Sequence, residues 1–232
     1  MNESNTALLS SVAAKLGDLC DRPVFVGGCA TALLVTDPAA PAVRVTQDVD
    51  ALVAITSLSD YHRMGHDLLE RGFTLSLVRG DPPYRFRSGS LTLDLMPVDA
   101  SILGFSSRWY AQALDSAVPV QLPGGPSIRI VTPACFLATK LEAFEDRGGG
   151  DYLTSHDLED VLSVVDGRPQ IVAEVADADL ALRRYVAEVL GRLLADEAFV
   201  NALPGLVPEG SPAGRAALVV ERLRAIVALG SP

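Results

Sequence analysis

Cysteine is scarce in this chain: there are three in 232 residues, Cys20, Cys29 and Cys135, odd in number and with neither a CxxC pair nor a Cys/His cluster around them. That excludes a disulfide framework and a structural zinc site, and it fits a reducing cytoplasm. Positive charge is also short. Nineteen Lys and Arg face 29 Asp and Glu, for a formal net charge of −10. Such a balance opposes nonspecific attraction to nucleic acid, so any contact with RNA has to be local. No stretch reaches the roughly 20 apolar residues that a membrane span needs. The polar, acidic opening from Met1 to Thr6 does not resemble a signal peptide, and no internal repeat or low-complexity segment is found. The expectation is a soluble, cytoplasmic protein with no membrane partner. Hydrophobic residues make up 49% of the chain, ample for one large domain or two small ones.

The order of elements follows from periodicity and turn chemistry. A helix is predicted over Thr6–Leu19, a buried strand over Val24–Val26, and a helix over Cys29–Val35 after the glycine pair Gly27-Gly28. A Pro/Ala-rich loop at Asp37–Ala42 leads to a strand over Val49–Ile55, and Ser59 can cap a helix running to Arg71. Further strands are expected over Phe73–Val78, Tyr84–Arg87 and Leu91–Met96, the last two joined by the turn Ser88-Gly89-Ser90, then near Val118–Leu122 and Ile128–Val131. From Thr132 the pattern becomes helical. Thr132 caps a helix with Pro133 at its first position, ending near Glu145 before the glycine loop Gly148–Gly150. Ser155 opens another helix through Val165, and apolar periods near 3.6 mark Ile171–Ala176, Leu180–Leu194 and Ala213–Leu229. The reading is α+β, with a sheet-containing domain over residues 1–131 and a helical one over 132–232.

Asp48 and Asp50 stand one residue apart, just after the glycine-rich turn. On a strand both carboxylates face the same way, as hard oxygen donors that could share divalent ions with a triphosphate. Leu91-Thr-Leu-Asp94-Leu-Met alternates strictly, which puts Asp94 on the face opposite the leucines. Its bland reading is a solvated carboxylate on an edge strand. Beside Asp48 and Asp50, however, a third carboxylate could complete a metal shell or take a proton from an attacking hydroxyl. Lys140 lies at the centre of an apolar stripe, with Phe136 and Phe144 about 40° to either side on a wheel of about 100° per residue. A lysine there needs an outlet for its ammonium, and a cavity holding phosphate supplies one. Gly27 and Gly28 ahead of a helix suit close approach of phosphate to the backbone. Arg147 is a further cation that could reach phosphate. Asp157 and Asp160 open the helix after Ser155, where the helix dipole alone accounts for acidic residues, although Asp157 falls on the Val161/Val165 face. His62 and His66 are spaced i, i+4 with no third ligand, and a solvated helix face explains them. Cys29 reads as a small core residue.

Taken together, V-G-G-x-A, R-x-T-x-D-x-D, an isolated strand Asp, S/T-P…K-L-x-A…R and D-x-x-D resemble the bacterial nucleotidyltransferases of the AbiEii/MenT toxin type, over most of residues 23 to 165. That resemblance implies the polymerase-β-like nucleotidyltransferase fold, a mixed sheet flanked by helices with a helical C-terminal bundle that completes the active site. It also implies magnesium as cofactor, with a two-metal site and manganese as an alternative, held by Asp48, Asp50 and Asp94. Lys140 becomes the triphosphate contact and Asp157 the late catalytic aspartate. Gly27, Gly28, Thr46, Arg147 and Asp160 become further nucleotide contacts. Here the Gly28–Asp48 interval is lengthened by Asp37–Ala42, and His156-Asp157 stands where Lys-Asp is common, so Asp157 and Asp160 both remain candidates. The implied partners are a nucleoside triphosphate, tRNA or another RNA, and a cognate antitoxin protein. RNA would have to be met by a local track of arginines such as Arg44, Arg85 and Arg87. The alternatives are a nucleotidyltransferase for a small cationic molecule of the aminoglycoside kind, and a non-catalytic nucleotide- or antitoxin-binding protein of the same fold.

Overall fold

The structure is a computed structural model that describes residues 3–147, 151–206 and 214–230. The glycine loop at 148–150 and the expected start of the last helix at Ala213 lie outside them. The chain forms two compact units, one from residues 2–32 and 44–132, the other from 33–43 and 133–232.

The first unit contains α1 (Glu3–Leu16), β1 (Val24–Val26), the start of α2 (Gly27–Leu34), β2 (Val49–Val53), α3 (Leu58–Glu70), β3 (Thr74–Leu75), β4 (Arg85–Ser88), β5 (Leu91–Pro97), α4 (Ala100–Leu103), α5 (Tyr110–Asp115), β6 (Val118–Gln121) and β7 (Ser127–Ile130). Its seven strands form one mixed sheet in the order β3-β4-β5-β2-β1-β7-β6. The central strands β1 and β2 are runs of buried apolar residues broken only by Asp50, as strands covered on both faces require. Leu9, Val12, Ala13 and Leu16 give α1 one buried stripe at helical spacing.

Several local expectations shift. Ser57 rather than Ser59 caps α3, its Oγ accepting from the Asp60 N–H at 3.1 Å. Helix α2 begins directly at Gly27. Of the expected strand over 73–78 only Thr74–Leu75 forms β3, with the Ser76 N–H still donating to the Arg85 carbonyl at 2.8 Å before Leu77 turns out into solvent. Asp94 is not on an edge: β5 lies between β4 and β2, and Asp94 is 4% exposed. Asp48 falls one residue before β2, since β1 ends at Val26 and offers no partner opposite residue 48.

The second unit holds α6 (Pro133–Asp146), α7 (His156–Gly167), α8 (Ile171–Ala176), α9 (Leu180–Ala195), α10 (Glu197–Leu206) and α11 (Arg215–Ala228). Helix α6 packs on α7, α8 and α9, and α11 packs on the same three. Ser155 caps α7 as expected, accepting from the Leu158 N–H. The Asp37–Ala42 segment is tied into this unit. The Thr36 and Asp37 N–H groups donate to the Gly167 carbonyl at 2.8 and 2.9 Å, and buried Arg215 bridges Asp37 and Asp166, each at 2.7 Å. Hydrogen bonding to Arg215 holds the Asp37 carboxyl below its ordinary value.

Candidate active site

The site in the first unit grows out of strand register. In the parallel β2/β5 ladder Asp50 is opposite Asp94, and in the antiparallel β4/β5 ladder Asp94 is opposite Arg85. Directly opposed residues project from the same face, so Asp50, Asp94 and Arg85 form one row across three adjacent strands. On the other side of β2, Val26 opposes Asp50, and the chain turns at once through Gly27 with φ of +66°. A Cβ at Gly27 would lie 1.8 Å from Asp50 Oδ2. The carboxylate of Asp50 therefore occupies space that only glycine leaves open. Gly28 is close-packed differently: a Cβ there would meet Arg44 Nη2 and Thr46 Cβ, both at 3.3 Å.

Asp48 is fixed by side chains instead of a ladder. Thr46 Oγ1 donates to Asp48 Oδ1 at 2.8 Å, and Cys29 Sγ donates to the Asp48 carbonyl at 3.2 Å, so this buried thiol does more than fill the core. The loop carrying Thr46 is held from α1 by Asn5, which is fully buried. Its Nδ2 donates to the Arg44 carbonyl at 2.8 Å and its Oδ1 accepts from the Thr46 N–H at 3.0 Å. Asn5→Leu leaves a buried donor and a buried acceptor without partners, at about 1–3 kcal/mol each. Urea unfolding is expected to show a stability loss of about 2 kcal/mol or more, as the loop carrying Thr46 and Asp48 loses its tie to α1.

Arg85 ties the acidic row together. Its Nε and Nη2 grip Asp94 Oδ1 and Oδ2 at 2.7 Å each, Nη2 also donates to Asp48 Oδ2 at 2.9 Å, and Nη1 lies 3.5 Å from Asp81. Two parallel charge-assisted bonds make the strong planar pairing typical of a guanidinium and a carboxylate. Burial pushes the Asp94 carboxyl up from its ordinary value against the pull of Arg85. Hydrogen bonding to Asp94 in turn holds Arg85 charged more firmly than a free guanidinium. Arg87 is similarly engaged with Asp81, at 2.8 and 3.0 Å. Hydrogen bonds from Ser76 and Arg87 keep the Asp81 carboxyl below its usual range. Arg85 and Arg87 are thus both paired with carboxylates.

Among the described residues, one trio of metal-type side chains has ligand atoms all within 4.8 Å of one another: His66, Asp67 and Glu70, on the outer face of α3. Its members are engaged on the surface, His66 with Glu70 at 3.7 Å and Asp67 with Arg22 at 3.4 Å, as a solvated helix face would have them. His62 is exposed as well. Asp48 and Asp94, by contrast, have a guanidinium lodged between them. Their chemistry nonetheless fits a hard divalent cation, being all carboxylate oxygen. A positive charge already bridges Asp48 and Asp94.

In the helical unit, Lys140 finds its outlet in carboxylates. Its Nζ lies 2.6 Å from Asp160 Oδ2 and 3.2 Å from Asp157 Oδ1, and Arg147 Nη1 donates to Asp157 Oδ2 at 2.8 Å. Asp157 and Asp160, spaced i, i+3 on α7, are 4% and 2% exposed, so the helix dipole alone does not explain them. The structure therefore groups Gly27, Gly28, Thr46, Asp48, Asp50 and Asp94 in one unit, and Lys140, Arg147, Asp157 and Asp160 in the other.

No family model matches the chain, and no curated protein matches its sequence significantly. Solved structures do resemble it. An antigenic nucleotidyltransferase-like protein from Paracoccidioides brasiliensis aligns with a TM-score of 0.52 at 19% identity, covering 88% of this chain and 92% of its own. The antibiotic-resistance factor ANT(2″)-Ia aligns with a TM-score of 0.51 at 14% identity, over 84% of this chain and 96% of that one. A protein from H. pylori proposed to be a nucleotidyltransferase aligns with a TM-score of 0.50 at 12% identity, over 99% and 94%. The mixed seven-stranded sheet with flanking helices is the α+β fold of nucleotidyltransferase-like proteins.

Proposed function

We propose that this chain is a nucleotidyltransferase, moving a nucleoside monophosphate from a nucleoside triphosphate to an acceptor hydroxyl. The observation that carries the reading is the row Asp50–Asp94–Arg85 across β2, β5 and β4, with Asp48 joined to it through Arg85 and Asp50 seated over Gly27. The shared fold supports it. Asp48 and Asp50 are the proposed ligands of the divalent ions, magnesium above all, and Asp94 the third carboxylate. Divalent ions bound there would supply neutralisation of phosphate charge and a template for in-line displacement. The chain's own work is positioning. Thr46 and Arg85 fix the Asp48 carboxylate, Gly27 admits that of Asp50, and Asp94 is poised to accept the acceptor's proton once Arg85 yields it. Lys140 as a triphosphate contact, with Arg147, Asp157 and Asp160 beside it, rests on the motif resemblance. Lys140→Ala is expected to weaken nucleotide binding at least about tenfold in calorimetric titrations, which would then fall short by about 1.4 kcal/mol. Unaltered affinity removes it from the site.

By the same resemblance the chain is a toxin of the AbiEii/MenT type, its acceptor is RNA, specifically tRNA, and its protein partner is an antitoxin. A second reading has an observation of its own. Arg85 and Arg87 are neutralised by carboxylates and the chain carries a net charge of −10, which suits a small cationic acceptor of the aminoglycoside kind. The likeness to an antibiotic-resistance factor points the same way. Incubation with magnesium, each of four α-labelled triphosphates, and total RNA, protein or aminoglycoside separates these readings. Label in the RNA lane supports the first, label on the aminoglycoside the second. A rise in melting temperature with magnesium and triphosphate, without label anywhere, would leave a non-catalytic binding protein.

A further inference from the structure

We propose that Arg85 is the built-in counter-cation of the acidic site and competes with the divalent ion for Asp48 and Asp94. The proposal rests on the metal reading above and concerns what holds the site together when no ion is bound. Arg85 directs three N–H···O contacts into two carboxylates, both oxygens of Asp94 at 2.7 Å and one of Asp48 at 2.9 Å. Its position is fixed by the β4/β5 register, opposite Asp94, with a side chain 20% exposed. Without it, Asp94 would be a buried charge with no cation beside it, an expensive state.

A small hard ion gathers its oxygen ligands at roughly 2.0–2.1 Å, a far tighter cluster than a guanidinium needs. Arg85 Nη2 sits between Asp48 Oδ2 at 2.9 Å and Asp94 Oδ2 at 2.7 Å, in the space that an ion shared by those two oxygens would fill. The guanidinium and the ion therefore ask for incompatible arrangements of the same oxygens. For all three carboxylates to hold one ion, Arg85 must release Asp94, Asp48 or both. Metal affinity of the free protein is then set by that competition. The anionic triphosphate offers Arg85 another partner, so ion and nucleotide bind with positive coupling.

Electron paramagnetic resonance titration of Mn2+ into the full chain, with no nucleotide present, tests this directly. Arg85→Gln keeps an amide donor near the position of Nε but removes the guanidinium and its charge. It is expected to bind Mn2+ on the order of ten- to a thousandfold more tightly than the wild type, as loss of a unit charge a few ångströms away implies. Its melting temperature should fall in chelator and recover on adding Mn2+, whereas the wild type should shift little. Mn2+ affinity equal to or weaker than wild type in R85Q overturns the competition. Should R85Q fail to fold with or without Mn2+, Arg85→Lys decides, because it keeps the charge and loses the fork: tighter Mn2+ binding supports the proposal and unchanged binding ends it. If wild type and both variants bind no Mn2+ at all, the metal reading of the site falls together with this inference. Binding to the wild type that neither substitution alters removes the inference alone.

Discussion

Asp50→Asn is expected to reduce nucleotidyl transfer by at least about 10³-fold while leaving the melting temperature within about 2 °C of the wild type. Three decades of rate correspond to about 4 kcal/mol of lost transition-state stabilisation. The asparagine is isosteric, so the space over Gly27 stays filled and the β2 ladder keeps its register. What disappears is one negative charge and one hard anionic ligand, both central to the proposed chemistry and neither needed for packing. Asp50 is half-buried and stands opposite Asp94 across the β2/β5 ladder, so neutralising it lessens the repulsion between those two carboxylates. The assay is steady-state transfer of labelled nucleotide onto whichever acceptor the lane experiment selects, with melting followed by circular dichroism. Transfer retained within about tenfold of wild type would remove Asp50 from the ion-binding set.

Much of this site is legible in the sequence because its parts are local. The glycine pair, the D-x-D spacing and the alternation around Asp94 are short-range patterns, and the elements carrying them fall close to where periodicity places them. The pairing of Arg85 with Asp94 turns on a single residue of register. Reading Ser88-Gly89-Ser90 as a three-residue turn sets Arg85 against Leu93, whereas the strands pair Ser88 with Leu91 around a two-residue turn and so set Arg85 against Asp94. A positive φ at Gly89 suits the tighter turn. One slip moves every cross-strand neighbour, and the most informative ion pair of the molecule went with it. The burial of Asp94 was hidden for a different reason. Alternation tells which residues share a face, but not whether a helix or loop covers that face. Lys140 shows the reverse case, where its anomalous place in an apolar stripe was readable and its partners were not. Those partners sit on the next helix, whose rotation about its own axis no local pattern fixes. The Asp37–Ala42 segment looked like a bare insertion because its anchor, Arg215, is 178 residues away along the chain.

Gly27→Ala is expected to cost on the order of 3 kcal/mol of stability and to abolish transfer as thoroughly as the loss of Asp50. Two penalties add. An L-residue held at φ of +66° costs about 1–2 kcal/mol, and pushing the Asp50 side chain from its rotamer costs about another 1. The new methyl would stand 1.8 Å from Asp50 Oδ2 and 2.6 Å from its Cγ, so the carboxylate has to leave the row it forms with Asp94. Gly89→Ala isolates the first penalty, since Gly89 also has a positive φ, of +59°, but nothing within 4 Å of a Cβ. It should lose about 1 kcal/mol and keep its activity. Asp50→Gly isolates the second. In that background the methyl at residue 27 meets no carboxylate, and Gly27→Ala should cost no more than Gly89→Ala does. The difference between the two backgrounds in urea unfolding is then the coupling between the turn and the aspartate. Equal costs in both would mean that Gly27 serves only its own backbone conformation and that Asp50 is held in place by something else.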